Sequence, residues 1–328
     1  MALLRALLAI RPLNATGKIY AGHVNHQLRP AADREARQLA AWCRQSGCPL
    51  HVRTAAPGEL AAIEGDGLEA AARTVRYRLL TEMAHQLGAR HVVTAHHQDD
   101  QVETVLFRLL RGTGLSGLRG MPRVRALSET VTLVRPLLEV PRAVVRDYLA
   151  VLQQPSCDDA SNRELTFKRN RLRQELLPYL REHFNSDVDG ALLRVARQSA
   201  DACGAIQTLV DPIIERLVPR WVPSAATQVQ IEAESRPKAR WLQLEAHELA
   251  STSDYLLCEA VRTVWRRFGL PMQQMDARWW QHLAEMLRSA TDSVPPLNLP
   301  GNLQARREEQ QVVIGPVVIG PVEPTPGP

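Results

Sequence analysis

Over roughly the first 110 residues, short β-branched runs alternate with longer stretches of helical periodicity, and that alternation leaves the chain few folds. It predicts strands at 18–24, 50–54 and 91–95, and helices at 33–45, 68–87 and 99–110. Such a pattern builds an α/β unit, a parallel sheet with helices on both faces. Ligands in these sheets bind beyond the carboxyl ends of the strands. Two polar segments fall there, 23–29 after one strand and 96–103 after another. A sheet of this kind normally opens with a strand and a loop before its first helix. This sequence opens directly in an apolar helix, Met1-Ala2-Leu3-Leu4-Arg5-Ala6-Leu7-Leu8, and its interruption at Arg5 and stop at Arg11-Pro12 argue against a signal peptide.

With 328 residues, two domains are expected. The texture changes near Asp187, where a helix at 187–217 is predicted to join the α/β catalytic domain, 1–185, to a smaller, mainly helical second domain, 186–315. That second domain holds five of the six tryptophans, predicted helices at 253–268 and 276–289, and a short hairpin at 297–314. Residues 316–328, ending in Pro-Thr-Pro-Gly-Pro, are expected to be a disordered or extended tail.

Composition narrows the class further. Apolar residues make up 45% and charged residues 23%, which excludes a disordered or collagenous chain. No apolar run approaches the ~20 residues that span a bilayer, so no membrane partner is expected. Cys43, Cys48, Cys157, Cys203 and Cys258 are scattered and form no C-x-x-C pair, which fits a reduced, cytoplasmic compartment and indicates neither zinc nor a disulfide framework. Net charge is +5, and only Lys18, Lys168 and Lys238 among the 40 basic residues are lysines. Arginine forks match phosphate and stack on bases, although a GC-rich genome explains the bias more simply.

Chemistry concentrates in His96-His97-Gln98-Asp99-Asp100-Gln101-Val102-Glu103-Thr104. With a helix starting near Gln98, Asp99 and Glu103 share a face and His96 approaches Asp100 at the first turn. Acids placed so can hold Mg²⁺, orient a cationic amine, or act as acid and base. Two adjacent His and two adjacent Asp exceed what helix capping needs. Gly112-Thr113-Gly114-Leu115-Ser116-Gly117 matches G-x-G-x-x-G, but it follows a helix and so lacks dinucleotide geometry. A loop closing over a site, or one that ends a helix, fits better, and Arg111 ahead of it suits an anion. Arg169 and Arg173 stand four apart, the spacing of a phosphate clamp or of a solvated basic face. His23-Val24-Asn25-His26, at a strand end, can touch a base edge or ribose.

In this order and spacing the segments resemble the tRNA(Ile)-lysidine synthetases of the PP-loop ATP-pyrophosphatase superfamily. The likeness is carried by His23-Val24-Asn25-His26-Gln27-Leu28-Arg29, by Leu68-Glu69-Ala70-Ala71-Ala72-Arg73 with Arg76-Tyr77, and by 96–104. Arg111-Gly112-Thr113-Gly114 with Gly117-Leu118, Arg135-Pro136-Leu137-Leu138 and the stretch 159–178 complete it. It covers 1–185 closely, and Leu299-Pro300-Gly301 resembles the family's closing hairpin. The resemblance implies a PP-loop, adenine nucleotide alpha hydrolase-like fold, ATP and Mg²⁺ as cofactors, and L-lysine and the CAU-anticodon tRNA(Ile) as substrates. A homodimer is the candidate assembly. In the implied reaction, O2 of the wobble cytidine is adenylated and the lysine ε-amine displaces AMP, giving lysidine, which reads AUA instead of AUG.

By the same resemblance, Asp99, Asp100, Glu103 and Arg173 are expected to be catalytic, with Asp100 also the Mg²⁺ ligand. His23, Asn25, His26, Arg73, His97, Arg111, Gly112 and Gly114 are expected around ATP, and Arg169, Asn170 and Arg171 on the tRNA. The family's Ser-Gly-Gly-x-Asp-Ser loop belongs just before the Met-Ala-Leu-Leu helix, where this sequence begins. The expectation is therefore a start placed on an internal Met, a sheet lacking its first strand, and weak ATP binding by the chain as given. Two alternatives stay open: a non-catalytic tRNA-binding remnant, and another PP-loop tRNA-modifying enzyme such as a thiolase. The missing C-x-x-C pair and the 159–173 stretch count against the thiolase. In the second domain, Arg216, Arg220, Arg236, Arg240, Arg262, Arg266 and Arg267 are expected to form a phosphate track.

Overall fold

The structure, a computed structural model, describes residues 1–11, 17–26, 32–56, 58–59, 68–154, 168–223, 240–246, 249, 251–289 and 294–317. Residues 27–29, Cys157, 159–162, Arg236 and 318–328, which carry expectations above, lie outside that set. The chain divides into two compact units, Met1–Asp201 and Ala202–Pro328.

The first unit begins with α1 (Ala2–Ile10), β1 (Ala21–Asn25), α2 (Ala32–Gln45), β2 (Leu50–Thr54) and α3 (Leu68–Gln86). β1 and β2 pair in parallel, from Ala21 opposite Leu50 to Asn25 opposite Thr54. The period of two decides which helix each residue meets. Ala21 packs with Cys43 and Cys48, alongside Leu4 and Leu8 of α1. Val24, on the other face, packs with Val75 and Leu79 of α3. Helices thus cover both faces of this pair.

Then follow β3 (His91–Val93), α4 (Gln98–Leu110), the short α5 (Leu115–Leu118), β4 (Val124–Ala126), β5 (Thr132–Val134) and α6 (Arg142–Val151). β3 runs parallel to β5, and β4 adds an antiparallel edge. The single parallel sheet expected from the sequence is corrected here. Among the described residues there are two pieces, β1–β2 and β3–β5–β4, and the second is mixed. The connection 127–131 is the reason for the mixture, since so short a loop can join only antiparallel neighbours. Helix α3 spans both pieces. Its Leu80 and Met83 lie against Gly22 of β1, while Tyr77, Leu80 and Ala84 pack with Val92 and Leu133. The unit continues through α7 (Lys168–Arg171), a π-helical turn (Leu172–Leu176), α8 (Leu177–His183) and the first part of α9 (Val188–Leu217).

The second unit adds to its helices more sheet than the one hairpin expected at 297–314. β6 (Arg220–Pro223), β7 (Arg240–Glu245), β8 (Leu297–Leu299), β9 (Leu303–Glu308) and β10 (Gln311–Pro316) form a five-stranded antiparallel sheet in the order β6-β7-β10-β9-β8, and that hairpin is its β10-β9-β8 end. Leu242 and Leu244 alternate inward with Ala305, Val312 and Ile314, whereas Trp241 lies on the opposite face. That tryptophan masks the strand alternation in the sequence. Gly315 gives it room, since a Cβ there would stand 2.4 Å from the Trp241 ring. β10 carries the chain to Pro316, where the tail was expected to begin, and Val317 N still donates to Asn302 O at 2.9 Å.

Helices α10 (Asp254–Arg267) and α11 (Ala277–Arg288) supply the rest of that core. Both are capped at their starts, α10 by the Ser253 hydroxyl accepting from Leu256 N and α11 by Asp276 accepting from Arg278 N and Trp279 N. Trp265 of α10 is fully buried, meets Trp280 edge-on at 5.5 Å, and donates from Nε1 to Pro271 O at 2.9 Å. Trp265→Ala should therefore destabilise the chain by about 3–5 kcal/mol, measured by urea unfolding monitored at the second unit. A loss below ~1 kcal/mol would mean the core can collapse around the site.

Candidate active site

The site is built around the start of α4. β3 ends at Val93, and the chain turns through Thr94, whose hydroxyl lies 2.8 Å from His96 Nδ1. His97 N donates to Asp100 Oδ2 at 3.0 Å, the reciprocal half of a capping box. Asp99 turns the other way. Its Oδ1 accepts from Arg142 N at 2.9 Å and so caps α6. The two adjacent acids thus serve different elements, and Asp100 keeps Oδ1 toward Arg173 Nη2 at 3.7 Å.

Glu103, one turn further along, has a side chain only 1% exposed. Its Oε1 accepts from Arg173 Nε at 2.5 Å, and its Oε2 from Arg173 Nη2 at 3.1 Å and Arg169 Nε at 3.1 Å. Apolar packing brings these groups together. Leu172 and Leu177 lie with Val102, Val105 and Leu106 of α4, and with Leu192 and Ala196 of α9. The ladder widens between Arg169 and Pro178, where Leu177 N–H reaches back five residues to Leu172 O. Pro178 has no N–H to give the next carbonyl in the α pattern, so the π turn sits where that bond would be lost.

Behind this ion cluster lies a second set of arginines. Arg73 and Arg125 approach the Tyr77 ring at 5.2 and 4.8 Å. Arg135 is 1% exposed, donates from Nη1 to Pro122 O at 2.6 Å, and reaches Tyr77 Oη at 3.4 Å. Its Nε is buried without a hydrogen-bond partner among the described residues. Burial lowers the pKa of Arg73 against the pull of Tyr77, and Arg135, Arg169 and Arg125 push it the same way. Burial likewise lowers His96 to about 4, opposed by Asp100 and reinforced by Arg135, Arg73 and Arg169. His96 is therefore neutral at pH 7.

The glycine-rich loop is held to α4 from two points. Gln101 pairs with the Met121 backbone, donating to its carbonyl at 3.1 Å and accepting from its N–H at 2.7 Å. Arg108 Nη1 donates to Gly117 O at 2.9 Å and Gly120 O at 2.8 Å. Gly120 has φ +69° and lies so close that a Cβ would stand 2.6 Å from Gln101 Nε2, so glycine is required on both counts.

His23, Asn25 and His26 gather at the carboxyl end of β1. Both ring nitrogens of His26 are buried without a hydrogen-bond partner among the described residues. Burial lowers its pKa, with Arg76 and His23 adding to the effect and Glu59 opposing it.

A family profile for the PP-loop domain matches residues 1–180. The chain is also 37% identical over 246 residues to the tRNA(Ile)-lysidine synthase of Gloeobacter violaceus, a match that covers 74% of this chain and 73% of that protein. The chain belongs to the tRNA(Ile)-lysidine synthase family. It is 33% identical over 316 residues to the synthase of Ralstonia nicotianae, covering 95% of this chain and 62% of that one. It is 42% identical over 191 residues to the synthase of Bradyrhizobium diazoefficiens, covering 57% of this chain but 50% of that one. Against these last two relatives the chain thus spans half to three fifths of their length. Among solved structures, the U34-tRNA thiolase NcsA from Methanococcus maripaludis, a chain with a [4Fe-4S] cluster, matches with a TM-score of 0.50 at 11% identity, covering 60% of this chain and 67% of that one. That likeness concerns the fold alone. Family membership gives residues 1–180 an ATP-binding PP-loop domain.

The residues this lysidine synthase family member was expected to use do not all meet. Asp100, Glu103, Arg73, Arg169 and Arg173 share the ion cluster or act directly on it, with His97 and Asp99 at its rim. Arg111, Gly112 and Gly114 lie past the other end of the 13-residue α4, about 16 Å along its axis from Asp100. Gly112, at φ +72°, ends that helix, and Gly114 starts α5. Arg171 faces solvent and pairs with Glu175 at 3.2 Å, while Asn170 is half-buried beside it. Tyr77, His96 and Arg135 stood in segments that the sequence singled out but were not named as site residues, and Arg108 and Arg125 were not singled out at all. Arg135 had a signal, a charge enclosed by Thr132-Leu133-Val134 and Pro136-Leu137-Leu138. Arg108 and Arg125 had none.

Among the described residues no group of three or more His, Cys, Asp or Glu is placed to hold a metal ion, and no helix is long and apolar enough to cross a membrane. His96 offers a test of the site's electrostatics. With a folded-state value near 4 against the ordinary 6.5, the unfolded chain binds a proton that the folded chain refuses, so stability contributed above pH 6.5 is lost on acidification toward pH 4. Urea unfolding at pH 7 and 4.5 should show wild type losing more stability than His96→Gln. Equal losses would mean that His96 is not held neutral.

Proposed function

We propose that the chain ligates lysine to the wobble cytidine of the CAU-anticodon tRNA(Ile) at the expense of ATP, changing codon reading from AUG to AUA. The observation that carries this reading is the Asp100–Arg173–Glu103–Arg169 cluster, a pair of anchored guanidinium forks beside a carboxylate that still has an oxygen facing them. Cytidine O2 is a poor leaving group until it is adenylated. When O2 attacks the α-phosphorus of ATP, pyrophosphate leaves and negative charge grows on the phosphate oxygens. Arg173 and Arg73 offset that charge from fixed positions, with no reorganisation needed at the moment of reaction.

The second step needs a neutral amine. Asp100, with Asp99 beside it, receives the lysine ammonium and accepts its proton; the amine then bonds to C2 as the C2–O bond to AMP breaks. Glu103 is a positioning residue in this scheme, since both its oxygens are occupied by arginines. His23, Asn25, His26 and His97 are assigned to the nucleotide, and Arg111, Arg169, Asn170 and Arg171 to tRNA or its phosphates. The donor set also suits Mg²⁺, which takes one or two protein carboxylates and completes its shell with phosphate and water oxygens. Asp100 would hold it, and when bound it would neutralise phosphate charge.

Two further parts complete the proposal. The break between the β1 and β3 pieces supports a preceding strand with the Ser-Gly-Gly-x-Asp-Ser loop, whose amides would cradle phosphate. The second unit is assigned to tRNA docking, with a smaller set of contacts than its arginine count suggests. Arg220, Arg262 and Arg267 are paired with Glu245, Glu259 and Asp211.

The test is nucleoside mass spectrometry on tRNA(Ile) after incubation with ATP and lysine, using the chain with that strand and loop restored ahead of Met1. Lysidine should form only when both small substrates are present. Asp100→Asn should lower its rate by about 10²- to 10⁴-fold with unfolding unchanged. Near-normal turnover in that variant would remove Asp100 from the mechanism, and a product formed without lysine would overturn the assignment.

A further inference from the structure

The helix that brings Arg169 and Arg173 to Glu103 carries on past the site, and its far end holds an exposed aromatic cluster. Tyr179 is 53% exposed and Phe184 72% exposed. The Tyr179 ring lies 4.5 Å from the His183 ring and 5.8 Å from the Phe184 ring, both tilted. The opposite side of the same segment is buried through Leu172 and Leu177, so the apolar need of this helix is already met without these rings. Three aromatic side chains held against one another in water are an unusual use of surface.

We propose that Tyr179, His183 and Phe184 form a stacking platform for unpaired bases of the anticodon loop next to the reacting cytidine. The inference rests on the tRNA reading above. Three observations select RNA over other occupants. The platform starts six residues beyond Arg173, about 9 Å along the helix, close enough for a neighbour of a nucleotide held in the cluster. Arg169 and Arg173 of this segment answer to Glu103 and Arg181 to Asp189, while Lys168 and Arg171 stay exposed as cations for phosphate. The segment's exposed face runs Arg171, Glu175, Tyr179, His183 at intervals of four, so cation and ring lie along one line. Stacking on an aromatic face tolerates any base, so the platform holds the loop open and leaves base choice to the pocket.

The test compares wild type, the double variant Tyr179→Ala/Phe184→Ala, and Tyr179→Trp, each as the 328-residue chain. Affinity for a tRNA(Ile) transcript with a CAU anticodon is measured by anisotropy over several salt concentrations, with 2-aminopurine in the loop reporting stacking. The double variant should bind roughly 5- to 100-fold more weakly, with an unchanged salt slope, because no phosphate contact is removed. It should also lose the 2-aminopurine quenching, while Tyr179→Trp keeps both affinity and quenching. Circular dichroism checks that all three fold alike. Unchanged affinity and quenching in the double variant, with wild type binding normally, would overturn the platform and leave the proposed reaction standing. Failure of wild type to bind the tRNA at all would overturn both. A wild-type dimer that dissociates when the rings are removed would assign the surface to a second copy of the chain and overturn the platform as well.

Discussion

A single buried carboxylate organises the first unit's chemistry. Glu103 is out of water, and an ionised acid there is tolerable only because two guanidinium groups reach it with directional hydrogen bonds. The dependence runs the other way too. Arg73, Arg125, Arg135, Arg169 and Arg173 come close to one another with Asp99, Asp100 and Glu103 as the acids among them. Burial keeps His96 neutral and lowers Arg73, and the surrounding arginines add to both effects. Such an excess of positive charge is costly in a folded protein unless a polyanion relieves it. That is the physical link between this cluster and nucleotide or RNA phosphate.

Helix α4 distributes that constraint. Residues on its successive faces each fix a different segment: Asp99 the start of α6, Gln101 and Arg108 the glycine-rich loop, Glu103 the segment that begins at Lys168. Rotating or shortening this helix would disturb all of them together. The π turn adjusts the partner segment, letting Leu172 and Leu177 stay in the core while Arg169 and Arg173 both face Glu103.

Much of this was legible in the sequence where a period or a local rule carried the information. The β2 strand, the α3 helix and the 98–110 helix follow from apolar spacing. The doubled His and Asp marked the site because they exceed the needs of a cap. What stayed hidden depended on tertiary contact. Glu103 reads as one acid of a catalytic group, and only the arrival of Arg169 and Arg173 from 66 and 70 residues away shows that its oxygens are occupied. Arg108 and Arg125 reveal nothing until the loop and the Tyr77 ring are in place. The glycine-rich match read as a loop that closes over a site or ends a helix, and Gly112 does follow the end of α4. Gly112 and Gly120 both take positive φ, and Gly120 also lies close against Gln101. Of the second unit's sheet only the 297–314 hairpin was read; β6 and β7 were missed because Trp221 and Trp241 look like core residues of a helical domain, whereas both sit on strands.

The central claim is that Glu103 and Arg173 act as one unit, and a double-mutant cycle on that pair tests it most directly. Glu103→Gln, Arg173→Gln and the double variant would be compared with wild type by urea unfolding at pH 7 and low salt. A buried carboxylate bonded twice by one guanidinium predicts a coupling of about 2–3 kcal/mol, with the double variant more stable than the sum of the single losses implies. Additive losses within ~0.5 kcal/mol would show two residues that merely lie near each other, and the account of the site would fail with them.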